Sequence, residues 1–183
     1  MTPILIAFLL CAPTPAADRQ PRSSSSTQTD DEQIRQRIET YLRSIDTPIR
    51  AAQWRALGPR GAAILEQIAQ DERTLPTRRA KAIDGLAAIG SPTAPATMLR
   101  LARDEQTPLA VRLSAVRGAA RVLPANQVTA ALQPILEGAK DAHVRRAAAE
   151  ALSSHGGCAL VRAQAAREDD PHRLGRALQR CGG

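Results

Sequence analysis

Four short stretches decide the fold, and they align without gaps on an arginine: PIRAAQWRALG (48–58), TRRAKAIDGLAAIG (77–90), AVRLSAVRGAARVL (110–123) and HVRRAAAEALSSHG (143–156). The aligned arginines are Arg50, Arg79, Arg112 and Arg145, spaced 29, 33 and 33 residues apart. Three residues on come Gln53, Ala82, Ala115 and Ala148; four on, Trp54, Ile83, Val116 and Ala149; seven on, Leu57, Leu86, Ala119 and Leu152. Offsets of three, four and seven share one face of an α-helix. That face is apolar or small in nearly every copy, so each stretch predicts a helix packed along it. A fixed period of this length is the mark of an array of small stacked units.

Working outward, each copy meets a breaker: Gly58-Pro59, Gly90-Ser91-Pro92, Leu123-Pro124 and His155-Gly156-Gly157. Ser91 ahead of Pro92 predicts a helix start, with the cap at Ser91 and proline at the first helical position. A second apolar-periodic stretch follows: Ile64, Leu65 and Ile68; Met98, Leu99 and Leu101; Val128, Leu132, Ile135 and Leu136; Leu160 and Val161. Each unit is therefore expected to be a helix, a tight turn and a second helix, with a kink at Pro134. Acidic residues recur between units, at Asp71-Glu72, Asp104-Glu105, Asp141 and Asp169-Asp170, where they complement the dipole of the next helix. Asp46 and Asp141 stand four residues before Arg50 and Arg145, a spacing for a cap or an ion pair. An arginine at one place in every unit reads as a stacking element of the fold rather than a ligand contact. Trp54 takes the place of Ile83 and Val116 and is expected in the core. Capping helices are expected at both ends: Asp31–Ile45, with Ile34, Ile38, Tyr41, Leu42 and Ile45 inward, and Pro171–Arg180, with Leu174, Ala177 and Leu178 inward.

The apolar-Arg step, the Ala-rich helix and the Ala-Leu-Gly ending resemble HEAT repeats, and most closely the bacterial HEAT-like kind also found in phycobilisome lyases. PIRAAQWRALG and HVRRAAAEAL carry the likeness, which covers about residues 46 to 170. The resemblance implies an all-α fold, a short right-handed α-solenoid of about four antiparallel helix pairs, used as a protein-binding scaffold. It implies no catalytic residues. In that family the second helices line the concave face. This places a protein-binding surface among Gln67 and Gln70, Arg100 and Arg103, and Arg162, Gln164 and Arg167.

Composition agrees with helices. The 183 residues are 43% hydrophobic with one Trp, one Tyr and one Phe, and 35 are Ala. That excludes a sheet protein built on β-branched and aromatic alternation, and it excludes a disordered chain. The net charge is +7, with 23 Arg against 2 Lys. No basic run exceeds two residues, so a solvated charged surface is expected in place of a nucleic-acid footprint. Residues 1–17 carry an apolar stretch, Ile4 to Leu10, too short for the roughly 20 residues of a membrane span but suited to an export signal. Cys11 resembles the lipidated cysteine of a bacterial lipoprotein leader, although Phe8-Leu9-Leu10 departs from that pattern, and lipidation stays open. Residues 18–30 read as a flexible polar tether, and 31–183 as the folded domain. The expected location is the periplasm or the outer membrane, the latter through an N-terminal lipid; the cytoplasm is the alternative.

Cys158 and Cys181 fall at the same end of the last helical hairpin and predict a disulfide, which fits an oxidising compartment; in the cytoplasm they would be free thiols. His155, Cys158, His172 and Cys181 match no common zinc spacing, so no metal is expected. There is no CxxCH, P-loop, GxSxG or HExxH, and no cofactor is expected. Three functions compete. The first is a non-enzymatic, monomeric scaffold of the cell envelope that binds another protein. The second is a nucleic-acid-binding solenoid with a basic concave face. The third is a chromophore-lyase relative, for which no nucleophile and base can be named.

Overall fold

The computed structural model describes residues 23–45 and 47–182. Among these residues the chain forms ten α-helices and no strand: α1 Ser23–Arg43, α2 Ala51–Arg55, α3 Gly58–Gln70, α4 Pro76–Ile89, α5 Ala94–Arg103, α6 Leu109–Val122, α7 Ala125–Gly138, α8 Ala142–Ser153, α9 Cys158–Ala165 and α10 Gly175–Arg180. A 3-10 turn at Pro171–Leu174 leads into α10. The leader, Cys11 and Asp46 lie outside the described residues.

Contacts sort the helices into two rows. In one row α2, α4, α6, α8 and α10 each touch the next; in the other α1, α3, α5, α7 and α9 do so. Between rows, α3 packs along α4, α5 along α6 and α7 along α8, more extensively than α4 on α5 or α6 on α7. The packing unit is thus offset by one helix from the sequence unit. The tight pair is the second helix of one copy with the first helix of the next.

The core is the face named by the repeat. Ala82, Ile83, Leu86, Ala115, Val116, Ala119, Ala148, Ala149 and Leu152 are fully buried, and Trp54 and Leu57 nearly so. The residue six after each arginine is Ala56, Gly85, Gly118 or Ala151. It must be small because the neighbouring helix sits on it. A Cβ on Gly85 would lie 2.6 Å from Trp54 Cε3, and one on Gly118 would lie 2.8 Å from Met98 Sδ and 3.2 Å from Ile83. Trp54 also meets Tyr41 edge-on, with ring centroids 5.2 Å apart. The lone Trp is core, and it ties α1 to α2 and α4.

First helices end where the repeat breaks. Gly90 and Gly156 occupy the same repeat position and turn in the left-handed region, at φ +78° and +80°. The third copy has Leu123 there, which is costly in that region, and the chain leaves extended into Pro124 instead (φ −70°).

Several expectations need correction. Helix α1 begins at Ser23, so residues 23–30 are helical rather than part of a flexible tether. No Gly or Pro interrupts Ser23–Arg43, and a helix nucleated at its apolar end can propagate through Ser, Thr and Gln. Ile45 is 93% exposed, not inward. The chain bends after Arg43, where Ser44 Oγ donates to the Thr47 carbonyl (2.8 Å), so helical periodicity ends before Ile45. Helix α5 starts at Ala94 with Thr93 at the cap position, not at Ser91-Pro92. The Thr93 hydroxyl donates to Glu66 of α3 (2.7 Å) and does not cap. The first helix of the first copy is only five residues long, because Gly58-Pro59 opens α3 directly.

Candidate functional site

The recurring arginine is resolved into a structural role at three of its four positions. Arg79, Arg112 and Arg145 each stand at the fourth residue of their helix, α4, α6 and α8. Each reaches across the tight joint to the carboxyl end of the preceding helix. Arg79 Nε donates to the Ala69 carbonyl (3.0 Å), and Arg112 Nε to the Ala102 carbonyl (3.2 Å). Arg145 Nη1 donates to the carbonyls of Ala139 and Lys140, each at 2.8 Å. The last carbonyls of a helix have no partner within it and carry its partial negative charge, so a guanidinium there satisfies both. Arg79 and Arg112 are only 3% and 4% exposed.

Arg50 departs from this. It is exposed; its backbone N–H donates to Gln53 Oε1 (2.8 Å), its carbonyl accepts from the Gln53 and Trp54 amides, and its side chain has no partner among the described residues. It caps a five-residue helix and meets no helix end. The Tyr41 carbonyl of α1 and the Ser44 carbonyl just past its end are taken by Lys81 Nζ instead.

Carboxylates add a layer that the repeat spacing did not name. Arg112 holds Glu105 in a bidentate pair at 2.9 and 2.8 Å. Arg145 holds Glu168, twenty-three residues away, at 2.6 and 2.7 Å. Of the two roles its spacing offered, cap or ion pair, Asp141 takes the cap of α8, accepting from the His143 amide at 2.7 Å. Arg145 lowers the Glu168 carboxyl to about 2, against the opposing pull of burial and with help from Gln164. Gln164, placed on the binding surface by the resemblance, is only 8% exposed and donates to Glu168 at 2.9 Å. It belongs to this buried network.

Asp71 and Asp104 follow α3 and α5 and close the same turn. Each accepts from the amide two residues on (Arg73, Gln106; 3.0 Å) and from the hydroxyl three residues on (Thr74, 2.8 Å; Thr107, 2.7 Å). Those hydroxyls, then those amides, hold both carboxyls below their ordinary range.

The remaining residues named from the resemblance are exposed: Gln67, Gln70, Arg100, Arg103, Arg162 and Arg167. Arg100 donates to Gln70 Oε1 of α3 (2.6 Å), and Arg103 to the Ala131 carbonyl of α7 (3.2 Å). Helix α7 continues through Pro134. Arg162 donates to the Cys181 carbonyl. Arg100, Arg103 and Arg162 are thus held by neutral acceptors, with no carboxylate in pairing range among the described residues. Cys158 and Cys181 are joined in a disulfide, Cα–Cα 5.5 Å, which fastens α10 to the start of α9.

A second surface lies on the other row. An open cleft of about 340 Å³ crosses α4, α6, α8 and α10, with Asp84 and Arg121 at one end and His155 and Arg180 at the other. Sequence reasoning missed it, because its alanines carry no chemical signal.

Comparison with protein-family models, curated proteins and solved structures gave no match.

Proposed function

We propose that this chain is a non-enzymatic HEAT-like scaffold of the bacterial cell envelope. In this reading it is a short right-handed α-solenoid of antiparallel helix pairs, and it binds another protein through the face of its second helices. The two rows of helices, stacked in sequence order with an arginine bridging successive joints, support the architecture. The disulfide supports an oxidising compartment and hence export, with Cys11 either lipidated or lost with the leader.

One observation carries the choice of surface. Arg100 and Arg103 are exposed, each is oriented by a contact to a neighbouring helix, and neither forms an ion pair among the described residues. Ordered arginines lose little further freedom on binding and present a forked donor to carboxylates, which makes them good interface anchors. Crosslinking in an envelope fraction, followed by affinity purification, tests this. A stoichiometric protein partner should be recovered with the native chain and lost with Arg100→Glu/Arg103→Glu. A partner retained by the double reversal, or no partner at all, refutes it. Salt-dependent DNA binding by the purified chain, with a slope of several phosphate contacts, would replace it with the nucleic-acid alternative.

A further inference from the structure

The residue five after each recurring arginine is charged, and its sign alternates along the row of first helices: Arg55, Asp84, Arg117, Glu150. Asp84 is taken by Arg121 of α6 at 2.8 Å. That leaves Arg117 of α6 and Glu150 of α8 lining one cleft, with no ion pair between them. Among the described residues the Arg117 guanidinium makes one hydrogen bond, to the Ser114 hydroxyl at 3.4 Å. Among the described residues, no hydrogen bond or ion pair reaches the Glu150 carboxylate. Arg180 extends from α10 to the Glu150 backbone carbonyl, at 3.3 Å, and brings a second unneutralised guanidinium to the same wall. Ala120, Ala147 and Ala151 also line the cleft, between the charged groups.

These features select a ligand by its charges. A purely anionic ligand would meet Glu150, and a purely cationic one would meet Arg117 and Arg180. A dipolar ligand satisfies both signs at once, with a guanidinium–carboxylate contact as its strongest part. Alanines accept small side chains and leave no depth for large ones. A cleft of about 340 Å³ stands at the low end of the ~300–1,000 Å³ range of ligand sites. We propose that the cleft binds a short peptide of small residues with both termini free. Its carboxylate lies on Arg117 and Arg180, and its ammonium on Glu150. The site uses other helices than the second-helix face and does not depend on it.

The test titrates the full oxidised chain with trialanine, N-acetyl-trialanine and trialanine amide, following backbone amide resonances. Trialanine should give saturable shifts at Ala147 and Ala151 in the millimolar range. Blocking either terminus should weaken binding about tenfold, the loss of one charge-assisted hydrogen bond. Arg117→Gln should reduce the dependence on the free carboxylate and Arg117→Gln/Arg180→Gln abolish it, and Glu150→Gln should abolish the dependence on the free amine. These residues are at the surface, and circular dichroism confirms that the variants are folded. Absence of saturable shifts at those alanines overturns the proposal. So does equal binding of the acetylated peptide, which marks a simple anion site.

Discussion

Replacing Arg112 with Ala should destabilise the fold at the α5–α6 joint. Arg112 is 4% exposed, and its Nε serves the Ala102 carbonyl at the end of α5. Without it that carbonyl stays buried and unpartnered, which costs about 1–3 kcal/mol. Lost packing of the aliphatic stem at the α5–α6 joint adds to this. Glu105, by contrast, has a side chain 33% exposed and turns to water when released. The expected total is about 2–3 kcal/mol, or a fall in Tm of about 4–10 °C for a domain of this size. Arg50→Ala is the matched control. It removes the same residue type from the aligned repeat position, but the Arg50 side chain engages no helix end, and a change within about 0.5 kcal/mol is expected. Urea unfolding followed by helical circular dichroism, on both variants under identical conditions, gives the comparison. If the two lose the same stability, the carbonyl bridge is not what the recurring arginine contributes, and the account of the joints fails.

Three further outcomes follow from the same contacts. Gly85→Ala should destabilise by about 1–3 kcal/mol through overpacking and should shift the fluorescence of Trp54, since the new Cβ would lie 2.6 Å from its ring; an unchanged emission spectrum counts against that contact. Reduction of Cys158–Cys181, or Cys181→Ser, should cost about 3 kcal/mol on the loop-entropy account for a sequence separation of 23, read as a lower urea midpoint that reductant no longer changes in the variant. Glu168 is ionised to about pH 2 in the folded chain and has an ordinary value of 4.5, so its contribution is present above 4.5 and lost as the pH falls toward 2. That shift is worth about 3 kcal/mol, reduced to about 2 by solvent reaching the Arg145 side of the pair; Glu168→Gln should therefore be less stable than the native chain at pH 7 and equal to it near pH 2.

The repeat made the helical core readable because helical burial is periodic and local. Offsets of three, four and seven from Arg79, Arg112 and Arg145 name nine residues, and all nine are buried. Position six was equally informative in retrospect: Gly85 and Gly118 are small because another helix lies on them. Failures cluster where the chain leaves a helix. Ile45 fits the α1 stripe by spacing but falls beyond its end, and Ser91 looks like a cap but sits in a turn. End geometry depends on a few hydrogen bonds, such as Thr93 to Glu66, whose partners are far apart in sequence.

The candidate surfaces were less legible still. Exposure of Arg100 and Arg103 could be expected from their helix face, whereas their orientation by Gln70 and Ala131 could not. Gln164 shares its helix with exposed Arg162, yet it is drawn into the Arg145–Glu168 network. The sequence alone therefore determined that the chain is helical and which residues of the repeat face turn inward, since both follow from short-range periodicity. Tertiary structure decided the rest: which helices form the tight pairs, which carboxylate each arginine takes, and which charges are left without a partner. Those depend on distances between groups on different helices and turns, and no periodic pattern records them.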